Sequence, residues 1–262
     1  MKIYLSGYIT MQKYLWEDIF KIKYWLSAFP ELYKKKDVDE LLKYIPDKFL
    51  DSWGYSIRMR GLQLSVYDYV KFIKQHGDKF TAIANMDTAD VKETLENQRI
   101  LEWETWKTIL PVYHASDFFS GDIKMLENYC NRYKHIAIGW VAGTKTAQDK
   151  LEKYLNVVFS KAKQTKTTIH WFWITSNRLL LMYPFYSVDS TSWLSGLRFM
   201  TVDYFKQWKM YSMNAEECRK QLWIDIAKLP RTEKIKRSLD ARVKYNEYIT
   251  KLHQAKWMEY RI

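Results

Sequence analysis

The sequence predicts an α/β fold, most economically a closed TIM-like (β/α)8 barrel with additional C-terminal helices. Three observations carry this. Short runs rich in β-branched and aromatic residues alternate with longer stretches of helical period, the rhythm of parallel strands joined by helical crossovers. The chain has 262 residues, room for one large domain with up to eight strands. No G-x-G-x-x-G follows the first strand candidate, so the alternative, an open doubly wound sheet with a dinucleotide site, loses support.

In chain order the strand candidates are KIYLSGY (2–8), DKFLDSW (47–53), FTAIANMD (80–87), LPVYHAS (110–116), HIAIGW (135–140), TTIHWFWI (167–174) and PFYSVDS (184–190). LRFMTV (197–202) is a weaker eighth. Each is short, apolar and bounded by polar or turn residues. Between them, VYDYVKFIKQH sets Val66, Tyr69, Val70 and Ile73 on one helical face. AQDKLEKYLNVVFSKAK does the same with Leu151, Leu155, Val158 and Phe159. Residues 1–213 therefore read as the barrel and 214–262 as a basic helical segment packed on it. In that segment AEECRKQLWIDIAKL (215–229) and EKIKRSLDARVKYNEYITKLHQAKWMEY (233–260) read as helices separated by Pro230.

Composition narrows the function. The chain is 47% hydrophobic with eight Gly and five Pro, a globular rather than disordered balance. A formal charge of +12 favours a polyanionic partner, above all nucleic acid, and weakens a reading as a (β/α)8 enzyme of an unrelated small substrate. No uninterrupted apolar span is long enough to cross a membrane, so no membrane partner is expected. No secretory signal opens the sequence, and two cysteines, Cys130 and Cys218, argue against a disulfide scaffold. Together they fit a reducing cytoplasm.

In a (β/α)8 barrel the strands' C-terminal ends converge on one mouth, where the chemistry sits. Three strand candidates end in aspartate: Asp51 in FLDSWGYS, Asp87 in IANMDT and Asp189 in YSVDSTSW. Others end in His114 and in Gly139–Trp140. A single aspartate of this kind could simply cap the next turn. Three in the same placement would share a cavity. His170, mid-strand, reads as a core or pocket-lining histidine rather than a catalyst. Lys234, Lys236, Arg237, Arg242 and Lys244 form a charge run on the last helix, either a solvated face or a contact to nucleic-acid phosphates.

FLDSWGYS resembles a modified form of the DSGGFQ motif of tRNA-guanine transglycosylases. SVDSTSW resembles the strand end that bears their nucleophilic aspartate, and IANMD and IAIGW match their base-recognising aspartate and Gly-Gly strand end in order. The resemblance runs from about residue 48 to 199 and is closer to the compact phage and bacterial relatives that act on DNA. It implies a (β/α)8 enzyme of the N-glycosidic bond. Asp189 would attack C1′ and Asp51 would move a proton. Asp87 would accept hydrogen bonds from a base edge. Ser52, Trp53, His114, Gly139, Trp140, His170 and Ser190 would line the pocket. Such chemistry calls for no cofactor.

The departures also inform. Relatives acting on tRNA carry a zinc site of three cysteines and a histidine near the C-terminus. Here only Cys218 lies beyond Asp189, so no metal is expected and DNA is favoured over tRNA. The family's glycine pairs have become Trp53–Gly54 and Gly139–Trp140, which reshapes the pocket where an incoming base would sit. The expected activity is therefore excision of a specific, modified base from DNA. Exchange for a 7-deazaguanine-type base and a catalytically silent nucleic-acid binder are the alternatives.

Overall fold

The computed structural model of the chain describes residues 1–7, 21–54, 57, 61–139, 148–173, 176–194 and 200–260. At its centre lie eight short strands: β1 (Lys2–Ser6), β2 (Tyr24–Ala28), β3 (Asp47–Asp51), β4 (Ala82–Ile83), β5 (Val112–His114), β6 (His135–Gly139), β7 (Thr168–Trp171) and β8 (Ser187–Ser190). They pair in parallel in the order β4-β3-β2-β1-β8-β7-β6-β5. A parallel bridge between Ala84 and Leu110 joins the two ends of that series. There the Leu110 amide donates to Ile83 O (2.8 Å) and the Asn85 amide to Leu110 O (2.9 Å). The predicted TIM-like (β/α)8 class is what the chain adopts.

One strand assignment needs correction. LRFMTV is not the eighth barrel strand: residues 195–199 lie outside the described residues, and Val202 opens β9 (Val202–Lys206). That strand forms a separate antiparallel hairpin with β10 (Lys209–Met213). The eighth barrel strand is β2, YWLSA, paired on both sides with β1 and β3. It runs directly into a helix, α1 (Phe29–Tyr33), and both its faces are buried, so the sequence carries neither an alternating pattern nor a break to mark it.

The remaining helices are α2 (Val38–Leu42), α3 (Val66–His76), α4 (Val91–Thr105), α5 (Ala115–Phe119), α6 (Ile123–Arg132), α7 (Gln148–Thr165), α8 (Asn177–Met182), α9 (Ala215–Leu222) and α10 (Arg231–Tyr260). α3 begins at a capping box, Ser65 with Asp68, and buries Tyr69, Val70, Phe72 and Ile73. α7 buries Tyr154, Leu155 and Val158, with Leu151 and Phe159 partly buried beside them. The helix expected over 215–229 stops at Leu222, because Trp223 takes the left-handed cap conformation (φ 59°) and the chain turns. Ile226 then packs with Val202, Met213 and Cys218 under the hairpin.

α10 lies along the barrel wall. Asn246 donates to Ile3 O (3.1 Å) and Thr250 to Met1 O (2.6 Å), while Tyr245 and Ile249 join the core beside β1 and β8. Its earlier residues Ile235 and Leu239 pack with Leu5 and Trp193, so the helix runs antiparallel to β1 with its N-terminal half at the strands' C-terminal end.

Strand alternation fills the lumen in tiers. Lys2 and Asp47 pair at the bottom (2.6 Å), and Tyr4 donates its hydroxyl to Asp47 (2.8 Å). Above them Tyr4, Leu26, Phe49, Val112 and Ala137 make an apolar plug. The top tier holds Ser6, Asp51, His114, Gly139 and Asp189, one or two residues further along each strand. Phe49 is the centre of the plug, fully buried and stacked on His170 at 4.6 Å. Phe49→Ala should therefore cost about 3–5 kcal/mol, the usual range for emptying such a site. Denaturant unfolding checks this, and a loss under 1 kcal/mol would show that the plug does not hold the barrel.

Candidate active site

Each strand-end carboxylate is delivered by the register of its neighbours. Asp189 lies opposite Tyr4 on β1, and Asp51 lies opposite Ala28 on β2. Both are buried, at 2% and 6% exposure. Asp189 accepts a hydrogen bond from Ser6 Oγ on Oδ2 (3.0 Å) and one from the Trp173 amide on Oδ1 (2.8 Å). Asp51 accepts from the Trp53 amide on Oδ1 (3.2 Å).

Burial pushes the Asp51 carboxyl well above the usual carboxylate range, and the charges of Asp189 and Asp87 push it further. The Trp53 and Ser52 amides pull the other way and are outweighed. Asp51 is thus the member of the cluster built to keep a proton. Asp87 lies four residues past the end of β4, where its backbone meets Gly54 in the loop after β3.

Asp87 has a partner already. Its Oδ2 lies 2.9 Å from His114 Nε2, an ion-pair distance with an angle unsuited to a good hydrogen bond. Burial works against charge on the His114 ring, but Asp87, with help from Asp117, outweighs it and raises the pKa above the usual imidazole value. The ring lies over Gly139, where an added Cβ would come within 2.8 Å of His114 Nδ1. The missing side chain at 139 therefore makes room for His114. Gly54 has a similar duty: a Cβ there would sit 2.3 Å from Asp87 O, so the loop after β3 can touch the end of β4 only through glycine.

His170 is fully buried beneath Asp189. Its Nδ1 meets Ser187 Oγ at 2.8 Å, and its Nε2 faces Asp189 Oδ1 at 3.8 Å, too long for a hydrogen bond. Burial holds its pKa below the ordinary value, against the pull of Asp189. It is a core histidine that touches the site from below.

Other expected residues are placed differently. Ser52 is buried next to Asp51 and accepts from the Gly54 amide (3.3 Å). Ser190 follows Asp189 and, by alternation, falls on the opposite face of β8. Trp140 lies outside the described residues. On α10, Arg242 is bound to the buried Asp203 (2.8 Å) and Arg237 to Glu233 (2.7 Å). Lys234, Lys236 and Lys244 lie on the same helix, whose N-terminal half is at the strands' C-terminal end.

Two site residues went unpredicted. Ser6 could have been found, since alternation from Tyr4 turns it inward. Trp173 could not, because its role depends on a backbone conformation that no residue pattern marks. Among the described residues, no group of three or more His, Cys, Asp or Glu is arranged to hold a metal ion. No helix in them is long and apolar enough to cross a membrane. Comparison with models of known protein families gives no match to this chain, and no curated protein matches it. The chemistry of the mouth rests on its own geometry.

Because Asp51 binds its proton more readily folded than unfolded, the bound proton stabilises the fold. That stabilisation is fully present below the unfolded value, near pH 4, and is lost as pH rises through the raised folded pKa. Asp51→Asn mimics the protonated form. It should match wild type below about pH 4 and exceed it at pH 8 by at least about 2 °C, the shift that roughly 1 kcal/mol produces at this size. Calorimetry at both pH values checks this; an equal difference at both would remove the assignment.

Proposed function

We propose that this protein breaks the N-glycosidic bond of a base in DNA and releases the base. Asp189 Oδ attacks C1′ as the C1′–N bond breaks, and the departing base takes the proton that Asp51 holds. Water then gives a proton to the Asp51 carboxylate and attacks C1′. This frees Asp189 and leaves an abasic sugar. The observation that carries the reading is the split between the two buried carboxylates, one raised to keep its proton and the other held as an acceptor by Ser6 and the Trp173 amide. Paired carboxylates with divided duties are what a reaction with oxocarbenium character requires. The motif resemblance and the +12 charge support nucleic acid as the substrate. A base inside a duplex would have to be extruded to reach such a recessed mouth.

Exchange of the base shares the first step and needs a second base where excision needs water. Two features favour water. The Asp87 carboxylate, which an incoming base would use, is paired with His114, and Trp53 stands where the relatives carry glycine. A silent binder is disfavoured, because carboxylates gathered in a buried mouth are costly and repel phosphate.

Asp189→Asn should keep the fold and lose at least about a hundredfold in base release, the scale of removing an essential catalytic group. The assay is mass spectrometry of bases freed from modified and unmodified DNAs, with alkali treatment to reveal abasic sites. Near-normal release by the folded variant removes Asp189 from the mechanism. Label from 7-deazaguanine bases entering intact DNA, without alkali-sensitive sites, would make the protein a transglycosylase. Binding should also weaken steeply with salt, by roughly 10³ or more between 50 and 200 mM if six or more phosphates are engaged. A flat titration would point to a small-molecule substrate.

A further inference from the structure

Trp53 and Trp173 share an unusual arrangement. Each lies two residues past the end of a barrel strand, β3 and β7, and each has a left-handed backbone, with φ 53° and 62°. L side chains enter that region at a cost, and glycine enters it freely. Trp106, Trp208 and Trp223 share it too, but Trp208 sits in the turn of the β9–β10 hairpin, and at 106 and 223 the amide closes a helix by donating to the carbonyl of Glu102 or Cys218. At 53 and 173 the amide is given to a carboxylate instead, Asp51 and Asp189 respectively. β3 and β7 stand four strands apart in the eight-strand ring, on opposite sides of the mouth. Their two indoles nevertheless meet, with centroids 6.4 Å apart and planes at 48°.

If only the amide of residue 173 mattered, glycine would present it without steric cost. The indole is 53% exposed, so burial of apolar surface does not account for a tryptophan here. Its ring meets Trp53, from the opposite wall of the mouth. We propose that Trp173 is a positioning residue for Asp189 whose indole also receives a flat ring entering the mouth. The same residue then ties arrival of the ring to alignment of the carboxylate beneath it. Trp53 provides the matching link to Asp51 from the opposite wall. The proposal deepens the glycosidic-bond reading and rests on it for the identity of the reaction. It adds that the ligand's aromatic face, presented by an unpaired nucleotide, is what the mouth engages first.

Three variants separate the amide from the ring. Trp173→Gly keeps the left-handed backbone and its amide while deleting the indole. Trp173→Phe keeps a ring, and Trp173→Ala keeps neither the ring nor an easy left-handed backbone. The measurements are thermal unfolding, base release with kcat and KM resolved, and fluorescence-detected affinity for a single-stranded oligonucleotide in an Asp189→Asn background. Trp173→Gly should melt at or above wild type. Its single-strand affinity should fall roughly 5- to 150-fold, the range for losing one base–aromatic stack, with KM rising in step. Trp173→Phe should recover most of that loss, and Trp173→Ala should lose kcat as well as affinity. A lower melting temperature for Trp173→Gly would make the indole mere packing and overturn the proposal. So would unchanged affinity, or failure of the Asp189→Asn protein to bind single strands at all. If wild type releases no base from any DNA while Trp173→Gly still loses single-strand affinity, the ring site stands and the cleavage reading falls.

Discussion

The parity of eight short strands decides what this barrel contains. In parallel register, Tyr4 faces Asp189 and Ala28 faces Asp51, so an inward Tyr4 or Ala28 fixes an inward aspartate on the neighbouring strand. A slip of one residue would turn both carboxylates into the apolar layer between strands and helices, where Val188 and Leu50 now lie fully buried. That layer enforces the register. Trp25, Leu50, Ile136, Ile138 and Val188 have no other place to go. The hydrophobic effect on the outside of the barrel thus holds the acids on the inside.

The two ends of the lumen treat charge differently. At the bottom, the Asp47 carboxylate meets Lys2 and the Thr81 and Tyr4 hydroxyls, and these contacts hold it below the usual carboxylate range despite burial. This is how a fold tolerates a half-buried acid. At the top, Asp51, Asp87 and Asp189 are grouped, and His114 is the imidazole paired among them, through Asp87. Asp51 is left to burial and like charge, which drive it toward its neutral form. A cluster maintained for stability would resemble the bottom tier. The imbalance at the top destabilises the fold locally, and perturbed groups of this kind are what the proposed chemistry would need.

The last helix shows how composition and placement can diverge. Its basic residues contribute to the +12 charge, yet Arg242 is committed to the buried Asp203 and Arg237 to Glu233. Arg242 ties the outer hairpin to α10, and so does the Asp203 amide, which donates to Ser238 Oγ (3.1 Å). Arg242 is therefore an internal contact, and Arg237 is held on the surface by its own helix.

Sequence alone determined the class of the fold, seven of the barrel strands and the placement of Asp51 and Asp189 at strand ends, with Asp87 four residues past β4, because alternation and helical period are local properties of a chain. It missed β2, whose two buried faces erase the alternation, and it extended the helix after Asn214 past Trp223, where a left-handed backbone ends it. Tertiary structure alone decided the rest of the site. Burial and the neighbouring charges of Asp189 and Asp87, not residue type, make Asp51 a proton holder. Gly139 yields its space to the His114 ring, although the two come from different strands and lie 25 positions apart. Trp173 reaches Asp189 through an amide and Trp53 through an indole. Those contacts exist only once eight strand ends face one another, because each joins residues that have no local reason to meet.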